Sequence, residues 1–240
     1  MFLVNWVSYR THLRLLILNY FTPHPSRVIV LSNILNMSGK IQYGFRITHI
    51  DNIPYIANTG FVLATSPLAS NSYKSIGDKN VIDKRKTTIG GINLEEYIPF
   101  YLGPRSIMLF VIQHGYNGVK MQSPEDVVYC VVKIEDLIKN NVQCIFSDGH
   151  ALSVLTKFYT SDELPCLNEK VSFEDVYAKY WNSDDDLDLK RRKEAELLVK
   201  EKLSKDFICG YIVYNESAKL KLLEFGIDSL KIVIKPEFYF

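Results

Sequence analysis

The chain has 240 residues, of which 47% are hydrophobic and 23% charged, and its net charge is +1. These values are typical of a soluble globular protein with one domain, and they exclude a global basic field, so that a nucleic-acid site has to be a local patch. The four cysteines lack C-x-x-C spacing, which argues against a zinc site or a disulfide framework and favours a reducing cytoplasm.

Residues 1–36 are rich in aliphatic and aromatic side chains but fit neither a membrane span nor a signal peptide. Polar residues interrupt the apolar run, and no ordered cleavage-site pattern follows it. Met37 begins a stretch that resembles an ordinary soluble start. We therefore predict a peripheral N-terminal extension over residues 1–40, or an over-called start, and one cytoplasmic domain over residues 41–240.

The first strand signal covers residues 45–49, where apolar and polar side chains alternate. Asp51 is predicted to cap a short helix, and Gly60 suits the end of that helix. His49 then lies at a strand-to-helix turn, where side chains and free backbone N–H groups converge. A histidine at such a place is also explained as a core or capping residue.

Residues 64–93 show little periodicity and are rich in Ser, Asn, Gly, Lys and Thr. A stretch of this length inside a compact domain is usually a functional loop or a mobile one. It carries the basic cluster Lys84-Arg85-Lys86, which is either a solvated surface or a clamp on a phosphate-bearing ligand. Arg85 can grip such a ligand through two hydrogen bonds, which a lysine cannot do.

Aromatic side chains at residues 97–101 precede Arg105. Aromatic rings beside an arginine favour a stacking platform for bases or nicotinamide, and core aromatics at a strand end are an equal alternative. The apolar run at residues 107–113 is predicted to be a strand. A second buried strand is predicted at residues 126–134, because its apolar run is nearly continuous.

The following segment is predicted to form a helix at residues 135–140 and a strand at 142–146. Ser147 or Asp148 then opens another helix, whose N-terminus favours an anion and has His150 nearby. The remaining elements are predicted as a strand at 208–214, a helix at 216–225 closed by Gly226, and a strand at 231–235.

An acidic run, Asp184-Asp185-Asp186, raises the question of a metal site. Such a run is more often a solvated turn, and no second carboxylate cluster at ligand spacing supports a metal. We therefore expect no metal. A metal-dependent nuclease that uses residues 184–188 with a histidine remains a minor alternative.

Four cations, Lys190 to Lys193, lead into Glu194 and Glu196 and then into an apolar run. A solvated helix face is one interpretation of this charge run. The other places Glu196 at the mouth of a strand, in a pocket with cations beside it that hold a polyanion. Periodicity does not separate Glu194 from Glu196, and we expect Glu194 to be the surface carboxylate.

Short strands outnumber long helices, which predicts an α+β domain with twisted, mostly antiparallel sheets and peripheral helices. The sequence lacks the P-loop, Rossmann, zincin and α/β-hydrolase motifs. His, Arg, Tyr and Glu at separate strand ends suit transfer of ADP-ribose from NAD. That reaction breaks the nicotinamide–ribose bond through an oxocarbenium-like state, as glycoside hydrolysis does.

From about Phe45 to the C-terminus, the chain resembles the DarT family of DNA ADP-ribosyltransferase toxins in five ordered blocks. These are Arg46-Ile47-Thr48-His49-Ile50-Asp51-Asn52-Ile53, Ile82 with Lys84-Arg85, residues 97–109 (YIPFYLGPRSIML), Ser147-Asp148-Gly149-His150-Ala151, and residues 191–199 (RRKEAELLV). The resemblance implies an ADP-ribosyltransferase-like fold and transfer of ADP-ribose from NAD to a base in single-stranded DNA, with nicotinamide released. It also implies a toxin that is paired with a macrodomain antitoxin of the DarG type, and we expect the protein to be a monomer.

Matched residue by residue, the resemblance implies catalytic roles for Glu196 and Arg85. Glu196 would act as a general base toward the attacking nitrogen. The NAD contacts that it implies come from His49, Thr48, Asn52, Arg85 and His150. Contacts to DNA are expected from Tyr101, Arg105, Arg191 and Arg192.

One position departs from the family pattern, since Leu197 stands where Phe commonly follows the glutamate. The change keeps the position apolar. Two other functions stay open at this point: an ADP-ribosyltransferase that acts on RNA or protein, and a non-enzymatic nucleic-acid-binding domain. The second would explain the basic clusters and aromatics but not the two histidines, His49 and His150.

Overall fold

The computed structural model describes residues 39–240, so the predicted extension over residues 1–40 lies outside the described residues except for its last two. Its strands are β1 (Tyr43–His49), β2 (Phe61–Val62), β3 (Thr88–Ile89), β4 (Ile92–Asn93), β5 (Tyr97–Tyr101), β6 (Val127–Lys133), β7 (Cys144–Ser147), β8 (Phe158–Thr160), β9 (Glu196–Lys200), β10 (Lys202–Leu203), β11 (Ile208–Val213) and β12 (Ile232–Ile234). Its α-helices are α1 (Ile53–Thr59), α2 (Lys79–Lys84), α3 (Ile107–His114), α4 (Ile134–Lys139), α5 (Leu167–Lys170), α6 (Phe173–Val176), α7 (Leu189–Lys193) and α8 (Glu216–Glu224). Short 3₁₀ turns connect several of them.

Within residues 39–240, eight strands form one sheet in the order β12-β11-β6-β1-β5-β9-β7-β8. All neighbours in this sheet are antiparallel except β11 and β12. β10 pairs with β2, and β3 pairs with β4. The predicted mostly antiparallel α+β architecture is confirmed. None of the helices in this part of the chain is long and apolar enough to span a bilayer.

Strand β6 shows why the sheet is buried on both faces. Val128, Cys130 and Val132 join the core on one face, whereas Val127, Tyr129 and Val131 join the core on the other. Successive side chains of a strand point to opposite faces. A strand that is covered on both faces therefore has a nearly continuous apolar sequence, which is the pattern that predicted β6.

The predicted strand at residues 107–113 is wrong, because the segment forms helix α3. Ser106 caps it, its Oγ accepting a hydrogen bond from the N–H of Leu109 at 3.2 Å. Gly115 ends it in the left-handed region with φ 68°. A short apolar run fits a buried strand and a buried helix equally well. Here Ser106 at the start and Gly115 at the end favour the helix, because both residue types are common helix caps.

Two other local predictions also fail. Residues 148–157 form turns after β7 where a helix opened by Ser147 or Asp148 was expected. Asp51 does not cap a helix. His49 caps the 3₁₀ turn Ile50–Asn52, with its Nδ1 accepting from the N–H of Asp51 at 3.1 Å, while the Asp51 carboxylate pairs with Lys74 and Lys221.

The remaining elements follow the sequence. β7, α4, β11, α8 and β12 lie where strands and helices are predicted. Gly60 ends α1 with φ 82°, and a side chain there would collide with the backbone of Leu203. Residues 64–93 are less irregular than expected, since they contain α2, β3 and β4.

The sheet divides into two halves at the neighbouring strands β1 and β5. β1 pairs with β6 along its full length, and β5 pairs with β9 along its full length. The register of β1 against β5, in contrast, consists of one residue pair, Phe45 opposite Tyr101. The two halves therefore separate beyond this point and leave a cleft in the sheet.

Candidate active site

A cavity of about 150 Å³ lies where β1 and β5 separate. Its walls come from β1, β5, the start of β9, the segment 73–77, α2 and α3. The lining residues used below are Arg46, Thr48, Tyr73, Lys74, Ser75, Arg85, Tyr101, Met108, Ile112 and Glu196.

Glu196 is the first residue of β9, and only 3% of its side chain is exposed. Its carboxylate lies 2.9 Å from Nη1 of Arg85, and its Oε1 also accepts from the N–H of Ala151 at 3.3 Å. The backbone N–H of Glu196 donates to Oγ of Ser147 at 3.1 Å. Three separate elements thus fix the position and orientation of this carboxylate.

Arg85 follows the last residue of α2 and reaches Glu196 across 111 positions of sequence. Its side chain is 14% exposed. The second terminal nitrogen, Nη2, is buried and has no hydrogen-bond partner within the described residues. A buried donor without a partner costs free energy, so Nη2 is a ready donor for a ligand oxygen.

His150 lies near this pair. Burial lowers the pKa of its imidazole, the Glu196 carboxylate opposes that shift, and the Arg85 guanidinium adds to it. The backbone N–H of His150 donates to the carbonyl of Arg191 at 2.9 Å. Arg85, His150 and Glu196 are therefore brought together, and burial favours the neutral form of the imidazole.

Asn52 and Thr48 hold one wall of the cavity in place. Nδ2 of Asn52 donates to Oγ1 of Thr48 and to the carbonyl of Lys74, each at 2.9 Å. Oδ1 of Asn52 accepts from the N–H of Lys74 at 2.8 Å. The Thr48 hydroxyl lies 3.0 Å from that of Tyr73. These bonds fasten the segment 73–77 to the end of β1.

His49, which the resemblance implies as an NAD contact together with Arg85, is not among the residues that line this cavity. Its side chain is 12% exposed and lies 3.6 Å from the carboxylate of Asp51. Burial lowers its pKa, and the Asp51 charge opposes that shift. Its capping bond accounts for its orientation at the end of β1.

Arg46 was missed among the candidate site residues, although it opens the first family-like block. It lines the cavity and a neighbouring one of about 320 Å³. Nη1 of Arg46 donates to the carbonyl of Pro99 at 2.8 Å, and its Nε is buried without a hydrogen-bond partner in the described part of the chain. The guanidinium therefore stands between two adjoining cavities.

The predicted DNA-contacting residues are placed differently from one another. Tyr101 lines the cavity, and burial together with the Glu196 charge raises the pKa of its hydroxyl. Arg105 lies over the ring of Phe240 at 4.0 Å, and its Nη1 donates to the carbonyl of Tyr239. Tyr101 and Arg105 are thus at opposite ends of one turn and serve two separate cavities.

Arg191 and Arg192 are held by acidic groups. Arg191 pairs with Asp148 at 2.9 Å and with Asp188 at 2.7 Å. Arg192 pairs with Asp175 and Asp186, each at 2.6 Å. Both guanidinium groups therefore join the loops around β9, and any DNA contact they make adds to that role.

Glu194, expected on the surface, is half-buried instead. Burial raises its pKa to about 7, and the nearby Glu196 charge contributes. The adjacent Lys193 is only 3% exposed, and its Nζ donates to the carbonyl of Val176 at 3.3 Å. The short helix α7 turns both side chains inward before β9 begins, which no charge pattern indicates.

Among residues 39–240, no group of three or more His, Cys, Asp or Glu side chains is placed to hold a metal ion. The acidic run contributes Asp186, which binds Arg192. In the described structure Asp186 therefore serves as the partner of Arg192 in an ion pair.

A family model described as "DarT: ssDNA thymidine ADP-ribosyltransferase, DarT" matches residues 45–240. The chain is 31% identical over 185 residues to a DNA ADP-ribosyl transferase of Escherichia coli O127:H6, covering 74% of this chain and 83% of that protein. It is 29% identical over 206 residues to one from Mycobacterium tuberculosis, covering 82% and 88%.

Solved structures show the same fold. The structure of Thermus sp. 2.9 DarT in complex with ADP-ribosylated ssDNA matches with a TM-score of 0.71 at 23% identity, covering 83% of this chain and 97% of that one. The predicted ADP-ribosyltransferase-like fold is therefore confirmed. A Thermosipho africanus DNA ADP-ribosyl transferase-DNA ADP-ribosyl glycohydrolase fusion protein is 27% identical over 201 residues, covering 82% of this chain and 49% of that protein.

Proposed function

The chain belongs to the DarT family of single-stranded-DNA ADP-ribosyltransferases, and we propose that it modifies thymine, with Glu196 and Arg85 as catalytic residues. Its reaction moves ADP-ribose from NAD to a base in single-stranded DNA and releases nicotinamide. The observation that supports the residue assignment is the buried Arg85–Glu196 pair at the cleft between β1 and β5.

Glu196 acts as general base in this proposal. A ring nitrogen of thymine attacks the ribose carbon that carries nicotinamide, the carbon–nitrogen bond breaks, and its electron pair leaves with nicotinamide. The proton of the attacking nitrogen passes to the carboxylate. Before that, the same negative charge stabilises the oxocarbenium-like ribose. The hydrogen bond from Ala151 keeps the carboxylate in place for both tasks.

Arg85 binds an anionic or carbonyl oxygen through its unpaired Nη2 while Nη1 holds Glu196. A guanidinium suits this division because its donors form a rigid fork. Arg46, between the two cavities, is suited to the phosphates of NAD. His150 contacts NAD beside Glu196, and Thr48 and Asn52 shape the wall. The proposed contact to His49 requires NAD to extend along β1.

The DNA base has to enter unstacked, because the carboxylate that it meets is 3% exposed. Tyr101, in the cavity wall, is placed to contact that base. Arg105, Arg191 and Arg192 are proposed to contact the strand outside the cavity. Arg191 and Arg192 already pair with aspartate carboxylates, so each can contact DNA only by binding a phosphate in addition to its carboxylate.

We further propose a partner that removes ADP-ribose from DNA, of the macrodomain DarG type. The Thermosipho africanus relative carries a DNA ADP-ribosyl glycohydrolase in the same polypeptide. A cell that carries a DNA-modifying toxin needs an activity that removes the modification from its DNA. The protein then acts as the toxin of a toxin–antitoxin pair.

The direct test uses NAD labelled in its adenylate part and two single-stranded oligonucleotides that differ only in whether thymine is present. Label on the thymine-containing strand alone is the expected result. Label on the thymine-free strand would move the modified base elsewhere, and label on RNA or protein with none on DNA would overturn the DNA assignment. Binding of DNA without any NAD turnover would favour a non-enzymatic domain.

A further inference from the structure

A further cavity of about 340 Å³ lies around Arg105, outside the catalytic cleft. Asn182 forms part of its lining, and the rest comes from four aromatic side chains and two cations, namely Phe110, Tyr180, Trp181, Phe240, Arg105 and Lys179. None of the lining residues is acidic in the part of the chain that the structure describes. We call these six residues the aromatic pocket.

The aromatic pocket combines fixed and free rings. Trp181 contacts Phe110 edge-on at 5.4 Å and Phe240 at 5.7 Å between ring centroids, so its position is set by packing. Tyr180 lines the same cavity and is 85% exposed. A large aromatic side chain this exposed beside a preformed apolar cavity indicates a binding surface.

Helix α3 connects the aromatic pocket to the catalytic cleft. Met108 and Ile112 line the cleft, whereas Phe110 lines the pocket from the other side of the same helix. The two sites are therefore separated by about one helix diameter, roughly 10 Å. The turn between Tyr101 and Arg105 joins them along the chain.

The cations define the kind of ligand. Arg105 is fixed over Phe240 at 4.0 Å, and Nζ of Lys193 lies 5.8 Å from the ring of Trp181. Lys179 is exposed at the rim. Flat rings that alternate with cations match a strand of bases linked by phosphates, because bases stack on aromatic side chains while the cations neutralise the backbone.

We propose that the aromatic pocket binds a base of the DNA strand next to the modified one, with Tyr180 and Trp181 stacking on it and Lys179 contacting its phosphate. This inference rests on the proposed function and adds to it a second contact site on the strand. Its consequence is that a longer oligonucleotide binds more tightly than a single thymidine nucleotide.

Fluorescence reports on this pocket, because the chain has two tryptophans and Trp181 lies in the pocket. In a full-length Trp6→Phe protein, emission comes from Trp181 alone. Titration with a mixed-sequence single-stranded oligonucleotide is expected to quench it. Unchanged emission at oligonucleotide concentrations that saturate the transfer reaction would overturn the proposal.

Two exposed positions test the contact without disturbing the fold. Tyr180→Ala and Lys179→Ala are each expected to raise KM for DNA by about tenfold, within the range of one lost stacking or phosphate contact, with kcat at saturating DNA unchanged. Lys179→Ala is also expected to reduce the slope of log affinity against log salt concentration by the amount that corresponds to about one phosphate contact. Leu187→Ala, also at 85% exposed, and Lys139→Ala on α4 are the matched controls.

Oligonucleotides of increasing length around one thymine separate this proposal from the reaction itself. The wild-type protein is expected to gain affinity with length and Tyr180→Ala to lose that gain. Equal behaviour of both proteins, with DNA still labelled, would overturn the aromatic pocket alone. Absence of label on every DNA, with Trp181 quenching retained, would overturn the transferase function and support the pocket.

The chain's own N-terminal segment is the competing occupant. Deletion of residues 1–36 also removes Trp6, so the truncated protein is compared with the full-length Trp6→Phe protein. A change in Trp181 emission relative to that protein, together with no response to oligonucleotide, would assign the pocket to that segment and overturn the proposal.

Discussion

Glu196 and Arg85 form a pair in which each side chain depends on the other. Both are mostly buried, and the carboxylate lies 2.9 Å from the guanidinium. Removing one partner of such a pair leaves the other charge buried and uncompensated. Under the proposed catalytic assignment, residue changes here act on transfer activity and on folding stability together, and the two effects have to be measured separately.

Substitution Glu196→Gln keeps the shape of the side chain and removes its charge. We expect transfer to fall by at least about 100-fold, the usual contribution of a general base. Stability is expected to fall by about 3 kcal/mol because Arg85 loses its counter-charge. Initial rates with labelled NAD and chemical denaturation measure the two effects, with the exposed Glu169→Gln as control. A variant that transfers at the wild-type rate would exclude Glu196 as the catalytic base.

Glu194 provides a pH-dependent prediction. Its pKa is raised from 4.5 to about 7, mainly by burial, so the folded protein keeps a proton that the unfolded chain has released. Stability from this group is present below about pH 4.5 and is lost as pH rises through about 7. Glu194→Gln retains the neutral form at all pH values.

The Glu194→Gln protein is therefore expected to gain stability relative to wild type as pH rises from about 5 to about 8, by about 2 kcal/mol. Urea denaturation at the two pH values measures this difference. A constant difference between the two proteins across the range would show that Glu194 does not titrate in it.

At the scale of elements, the cleft depends on the short segment 73–77, which hydrogen bonds from Asn52 hold in place. Residues 73–77 have little regular structure, and Asn52 binds both backbone groups of Lys74. Asn52 is itself 3% exposed. It acts as a positioning residue for the wall of the cavity, so its loss should disturb ligand binding more than bond breaking.

Asn52→Ala is expected to raise KM for NAD by about tenfold with a smaller change in kcat, because the two backbone groups of Lys74 lose their partner at about 1–3 kcal/mol. Steady-state kinetics over a range of NAD concentrations separates the two constants. Asn80→Ala, at an exposed position on α2, is the matched control. An equal fall in kcat with KM unchanged would indicate a role in the chemical step instead.

At the scale of the whole molecule, residues 39–240 build a sheet whose inner strand β6 is covered on both faces. The family model matches from residue 45 onward. This part of the chain therefore supplies its own two-sided core. The boundary predicted near Met37 remains a prediction.

Deletion of residues 1–36 is expected to leave a protein that unfolds cooperatively and transfers ADP-ribose. Its Tm should change by less than about 4 °C, the shift that about 1 kcal/mol produces in a domain of this size. Differential scanning calorimetry and the labelled-NAD assay test this. A truncated protein that fails to fold would place the domain boundary earlier in the chain.

The sequence by itself determined the family, the mostly antiparallel architecture and the strands whose pattern is local, such as β6 and β9. It also singled out Glu196 and Arg85, through family-like blocks and not through periodicity. It misassigned α3, although Ser106 and Gly115 marked both ends of that helix. A short apolar run has no length or period that separates strand from helix.

Only the tertiary structure decided which side chains meet. The order of the sheet places β9 between β5 and β7, and this brings Glu196 beside Tyr101 and near His150. It also half-buries Glu194 and leaves His49 outside the lining of the cavity. These outcomes depend on contacts between residues far apart in the chain, which local periodicity and charge patterns do not specify.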